Sequence, residues 1–230
     1  MIVYKDKDIA VCVKPYGVSS QESGNDNMIA RLKDELLCPV YPVHRLDTTT
    51  TGLIVYALNQ KSAAALSRTV ADGKIEKEYL AIVNGECEES GELTDILFHD
   101  KIKNKSFVVS KERKGAKTAH LAYKKLDSAE TDEGKLSLVR IRLFTGRTHQ
   151  IRVQLANVRC PLYGDGKYGA RNNGKIHLHS AKLTFPHPAT GKNVSFASAP
   201  YGDKWDLFKT ADKNPCQKIT QPYADRKGYQ

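Results

Sequence analysis

An α+β fold, with a mixed and mostly antiparallel β-sheet flanked by a few helices, is what the sequence predicts. Three observations point to it. Strand-length apolar runs are numerous, only three or four stretches carry helical spacing, and neither a repeat nor a linker divides the chain.

Residues 2–14 read as a hairpin around KDKD, with Ile9, Val11 and Val13 alternating on one face before Pro15 and Gly17 end it. Residues 28–37, MIARLKDELL, place Met28, Ile29, Leu32 and Leu36 at helical spacing, with Asn25 or Asp26 available as N-cap. Residues 52–58 are nearly all apolar and fit a buried central strand. Asn59 then caps an alanine-rich helix running to about Asp72 and closed by Gly73. KEYLAIVNGE reads as a strand ending in an Asn-Gly turn, and residues 90–135 as short strands with basic loops. Residues 136–143 alternate, with Val139, Ile141 and Leu143 inward and Arg140 and Arg142 outward. TGRTHQIRVQLANV turns helical, with Ile151, Leu155 and Val158 on one stripe, and HLHSAKLTF is a strand stopped by Pro186 and Pro188. The pattern fades after Trp205. One domain over residues 1–212, built as two fused lobes, and a frayed polar tail over 213–230 are expected.

A chain of 230 residues with 40% hydrophobic content can bury a sizeable core. No apolar run is long enough for a transmembrane helix, and the start lacks a signal-peptide layout. Five scattered cysteines without CxxC spacing fit a reducing cytoplasm and spectator thiols. The net charge of +10 is concentrated: residues 101–125 carry nine Lys/Arg against Glu112, and residues 137–182 nine against Asp165. Two basic segments suggest a polyanionic partner, most simply nucleic acid.

Several nucleic-acid chemistries lack their residues. There is no GxxxxGK[ST] or GxGxxG phosphate cradle, no zinc-deaminase signature and no acidic cluster for two metals. His177 and His179 would share a strand face, but no third metal ligand is suggested nearby. The expectation is a reaction without cofactor or metal.

HRLDTTTTG, residues 44–52, puts Asp47 just before the apolar strand. A carboxylate on a rigid strand entry is well placed for chemistry, provided that a positive partner keeps it ionised. GRTHQIR offers Arg152, one turn inside a helix and beside its apolar stripe, whereas Arg147 should face solvent or phosphate. Tyr79 shares a strand face with Ala81 and Val83 and should point inward, where a phenol can stack on a base or transfer a proton. Blander roles fit as well: Asp47 bracing its own turn, Tyr79 filling core, and GRTHQIR forming an anion-binding helix start.

Taken together, DIAVCVKPYGVSS, HRLDTTTTGLIVYA, KEYLAIVNG and GRTHQIRVQLANVRCPLYGDGKYG with LHSAKLTFPHP closely resemble, in order, the motifs of the RluA-type RNA pseudouridine synthases, over about residues 8–188. Thr51 departs from the family's usual serine but keeps a hydroxyl. Many members also carry an N-terminal RNA-binding domain, whereas Met1 begins almost directly on the catalytic motifs. The resemblance implies the pseudouridine synthase fold with a central active-site cleft. It implies an enzyme that isomerises uridine in ribosomal or transfer RNA without cofactor, after flipping the base; the cysteine pattern sets the expected location in the cytoplasm, and a monomer is the default expectation. It makes Asp47 the carboxylate acting at C1′, Arg152 its ion-pair partner, and Tyr79 the ring that packs on the base and assists proton removal from C5. Arg45 would help fill the gap left by the flipped uridine, and His44, Thr51, Arg147, His149 and Gln150 would join it in binding substrate. Rival readings are a non-catalytic RNA-binding module and an N-glycosidase.

Overall fold

The structure, a computed structural model, describes residues 1–111 and 113–208. Among these, strands β1 (Ile2–Lys5) and β2 (Ile9–Lys14) form the expected hairpin, its turn held by Asp6 Oδ1, which accepts from Asp8 N and Ile9 N at 2.8 Å. Helix α1 (Met28–Leu36) is capped by Asn27, whose Oδ1 accepts from Ala30 N at 2.9 Å. Neither Asn25 nor Asp26 caps it; Asp26 is engaged by Arg31 through two contacts of 2.6 Å.

The short β3 (Tyr41–Pro42) precedes β4 (Thr51–Ala57), and Asn59 caps α2 (Gln60–Ala71) as expected. Then follow β5 (Glu76–Asn84), β6 (Ser90–Asp100), β7 (Lys105–Val109), β8 (Ala116–Ala129) and β9 (Leu136–Leu143). Helix α3 (Gln150–Asn157), β10 (Leu178–Pro186) and β11 (Asn193–Ala197) complete the described α-helices and strands. The strands form one sheet ordered β1-β2-β4-β10-β5-β9-β8-β6-β7, with β11 on β10 and β3 on β4. Every pairing is antiparallel except β4 with β10. No helix among the described residues is long and apolar enough to cross a membrane.

The apolar run in β4 reflects burial on both faces. Ile54 and Tyr56 join the core beneath α1 and α3, and Leu53, Val55 and Ala57 pack on the opposite face with Leu66 of α2. Three expectations need correction. Residues 90–135 hold, besides the short β7, two long strands, because β6 and β8 pair continuously over Ser90–Phe98; their exposed residues are polar, which dilutes the hydrophobic signal. The Asn84–Gly85 turn closes no hairpin, since β5 pairs with β9 and β10. Val158 lies just past α3 and is exposed, while Gln150 to Leu155 are buried consecutively, so this helix is enclosed and has no single buried stripe. The tail expected over 213–230 lies outside the described residues.

Strand register gathers the chemistry-bearing segments. Thr51 and Gly52 of β4 align with His179 and Ser180 of β10, Ser180 aligns with Tyr79 of β5, and Tyr79 with Ile141 of β9. The loop entering β4, the middle of β5 and the segment leaving β9 therefore meet at one level. Gly52 makes the close approach possible. Its φ is +103°, and a Cβ there would overlap the Ser180 backbone.

Candidate active site

A cleft of about 420 Å³ opens at this level, lined by residues of the loop before β4, the start of β5 and the 143–152 segment. Asp47 is the one acid among its lining residues, which include Arg45, Lys77, Arg147 and Arg152. The Asp47 carbonyl accepts from Thr50 N at 3.0 Å, closing a tight turn. The loop is clamped from beneath by Lys14, fully buried, whose ammonium donates to the carbonyls of Pro15, Val18 and Thr48 at 2.9–3.1 Å. Gly17 N also donates to Thr48 O at 2.8 Å. The Lys-Pro-x-Gly element thus fixes the residue after Asp47. Sequence reasoning gave Lys14 no role, although its place in that element was the available signal.

Burial raises the Asp47 pKa above the usual carboxylate value, against the opposing pull of Arg152, Arg45 and Lys14, and Asp165 adds to the rise. Arg152 is not the direct partner that had been expected. Its guanidinium makes a two-point bond to Asp165, Nε to Oδ2 at 2.6 Å and Nη2 to Oδ1 at 2.8 Å, with both side chains buried. Arg152 acts on Asp47 through space, and part of its charge is already answered. Asp165 was noticed in the sequence as a lone acid in a basic segment, which was the clue to its pairing.

Tyr79 is buried and lines the cleft as expected. Burial, with Asp47 nearby, raises its pKa, so the ring is a neutral phenol. His149 caps α3 in the left-handed region at φ 55°. Its pKa is pushed down to about 3, first by burial and then by Arg152, Lys167 and His99, so it is neutral. Tyr168 Oη accepts from Ser106 N at 2.7 Å and is hydrogen-bonded to His149 Nδ1 at 2.9 Å. The other ring nitrogen, Nε2, lies 3.8 Å from Asp47 Oδ2. A chain of polar groups, Ser106 to Tyr168 to His149, therefore ends at the carboxylate. Neither Ser106 nor Tyr168 was marked by spacing.

The other expected substrate-binding residues divide. Arg45 and Arg147 are exposed on the cleft lining, Arg147 anchored through Nε to Thr118 O at 2.9 Å. His44 also lines the cleft; its Nε2 accepts from Val55 N at 3.1 Å, which places the proton on Nδ1, and burial holds its pKa well below the ordinary value. Two polar groups serve the scaffold. The Thr51 hydroxyl is spent on His179 Nδ1 at 2.8 Å and Leu178 O at 3.3 Å, away from the cleft lining. The Gln150 amide accepts from Thr145 Oγ1 at 2.8 Å and Arg147 N at 3.0 Å and donates to His120 O at 3.1 Å, so it braces the turn it was expected to extend toward RNA. His177 and His179 do not converge on a metal position; His177 contacts Asp203 and Lys175 O, and His179 contacts Thr51 and Ser198.

Comparison with known proteins agrees with this geometry. A family model described as RNA pseudouridylate synthase matches residues 8–157. The chain is 32% identical over 231 residues to the tRNA pseudouridine synthase C of Haemophilus ducreyi, covering 90% of this chain and 93% of that protein. It is 33% identical to the protein of the same name from Vibrio parahaemolyticus, over 91% of this chain and 93% of the relative. Among solved structures, human RNA pseudouridylate synthase domain containing 1 superposes with a TM-score of 0.76 at 22% identity, covering 86% of this chain and 82% of that one. Human RNA pseudouridylate synthase domain containing 4 gives 0.70 at 24% identity, over 86% and 87%.

Proposed function

The chain belongs to the RNA pseudouridylate synthase family, isomerases that convert uridine to pseudouridine in RNA, and from that premise we propose that Asp47 acts at C1′ of a uridine in transfer or ribosomal RNA. The observation that carries the assignment is the cleft's composition, one carboxylate among cations and buried neutral rings. The relatives named for transfer RNA favour that substrate over ribosomal RNA.

The reaction breaks N1–C1′, turns the uracil and joins C5 to C1′; C5 loses a proton and N1 gains one. Glycoside hydrolysis needs two carboxylates because an alkoxide is a poor leaving group and water must be activated. Uracil leaves as a stabilised anion and is recaptured, so one carboxylate suffices. Arg152 and Lys77 supply positive charge while the base is detached. Tyr79 supports the base as a neutral phenol, and the burial that raises its pKa disfavours the phenolate needed for proton removal. The C5 proton therefore goes to the Asp47 carboxylate, whose raised pKa improves it as a base. The neutral ring of His149 stands beside that carboxylate, its Nε2 3.8 Å from Oδ2.

The test is Asp47→Asn assayed for pseudouridine on unmodified transfer and ribosomal RNA transcripts, with RNA binding measured in parallel. Loss of product with retained binding is expected; turnover at the wild-type rate would exclude Asp47 as the reacting group. Free uracil in the wild-type reaction would indicate an N-glycosidase.

A further inference from the structure

Phe144 is the one phenylalanine among the described residues that is exposed as a large hydrophobic, with 43% of its surface open. It follows β9 directly and lines the same cleft as Asp47. Its ring lies on His120 with centroids 4.3 Å apart and planes 19° from parallel, and the Arg142 guanidinium carbon is 5.1 Å from its centroid. Backbone bonds hold the pair in place: Phe144 N and Thr145 N both donate to His120 O, and His120 N donates to Thr145 Oγ1 at 2.8 Å. Arg147 stands exposed three residues further along the same lining.

An aromatic ring partly left in water contributes little to the core, and here it is held on His120, which faces Glu92 at 3.5 Å, and beside Arg142, which faces Glu76 at 3.9 Å, at the mouth of an RNA-acting cleft. Proteins that hold single-stranded RNA use this combination, because every base has a π-face and every linkage a negative charge. Resting on the RNA-directed reading of the cleft, we propose that Phe144, stacked on His120 and flanked by Arg142, is a seat for an unpaired nucleobase adjacent to the target uridine. Stacking there compensates the base for the neighbour it loses when the uridine enters the cleft. Arg142 and Arg147 meet the adjoining phosphates. The seat selects for an unpaired, unstacked neighbour and accepts any base, so it reads RNA structure more than sequence.

A double-mutant cycle on binding tests this. Fluorescent single-stranded 12-mers with one central uridine carry an abasic site at each flanking position in turn, and anisotropy gives Kd for wild type, Phe144→Ala and Phe144→Trp. Stacking strengths measured for other single-strand binders translate to about a tenfold weaker wild-type Kd when the seated base is removed. In Phe144→Ala the same removal should change Kd little, because the ring that used the base is gone, and Phe144→Trp should restore sensitivity. Thermal melting confirms that each variant is folded, which the exposure of the ring favours. The proposal is overturned if Phe144→Ala remains as sensitive to base removal as wild type, or if no flanking position matters to wild type. Because binding and not turnover is read, failure of the Asp47 assignment would leave this test intact.

Discussion

Replacing Asp165 by Asn separates the two roles of Arg152, its bond within the fold and its field at Asp47. Both charges of the Arg152–Asp165 pair are buried, and removing one partner of such a pair costs about 3–5 kcal/mol, since the other charge is left uncompensated. The amide retains one acceptor for Nε or Nη2, so the lower end, about 3 kcal/mol, is expected. For a domain of this size each kcal/mol lowers Tm by about 2–4 °C, which gives a drop of about 6–12 °C in thermal unfolding followed by circular dichroism. At the site the effect is opposite in kind. Asp165 raises the Asp47 pKa and Arg152 lowers it, so losing the Asp165 charge removes the first influence and frees the second. The Asp47 pKa falls, and the acid limb of the pH–rate profile, which follows ionisation of Asp47, moves to lower pH. Pseudouridine formation measured across pH at a temperature where the variant is folded checks this. A folded variant whose acid limb stays in place or moves upward would refute the through-space coupling.

Three further outcomes follow from the same geometry. The raised Asp47 pKa means that the folded state disfavours the charged carboxylate, so Asp47→Asn should melt at a higher temperature than wild type at neutral pH. The folded pKa lies above the unfolded one, so the wild-type deficit is absent below the ordinary value of 3.8, opens as pH rises through the folded value and is complete above it; equal melting gaps at acid and neutral pH would contradict this. Tyr168→Phe removes the acceptor of the buried Ser106 N–H and should cost about 1–3 kcal/mol in urea unfolding. It should also reduce kcat with RNA affinity unchanged, since it frees His149 without touching the groove. Gly52→Ala sets a Cβ against the Ser180 backbone at a positive φ and should destabilise by about 2–4 kcal/mol, read as a lower urea midpoint.

The strands carrying the site were legible because burial on both faces leaves a continuous apolar run, as in 52–58, and helix α2 was legible because Asn59 and Gly73 bracket it. The long β6 and β8 were not, since polar residues interrupt their apolar pattern and the pairing between them sets their length. At the site, residue type located Asp47, Tyr79 and Arg152 on one cleft. It could not say which polar groups the fold consumes. Thr51 and Gln150 have the right chemistry for substrate, but their hydrogen bonds are spent on His179 and His120, which lie far off in the sequence, and on Thr145 in the turn before α3. The Arg152–Asp165 bond joins a helix to a loop thirteen residues later, a separation that matches no helical or strand period.

Among the described residues Asp47 has no dedicated counter-ion, and the chemistry explains why that arrangement is useful. A carboxylate in a two-point bond to arginine is a weak base and a poor nucleophile, since attack or proton uptake would forfeit the bond. Tying Arg152 to Asp165 keeps a positive charge in the cleft while leaving both Asp47 oxygens free of it. In the proposed mechanism the same charge serves the departing base. A hydrolase at this position would need a second carboxylate to activate water, and none lines the cleft among the described residues. His149 cannot replace it as an acid, being neutral with its pKa pushed down to about 3, and Tyr79 cannot replace it as a base while burial keeps it protonated. The groups left are one poised carboxylate, neutral rings that support a base, and cations that hold an anion in place. Such a set favours recapture of the uracil over its release.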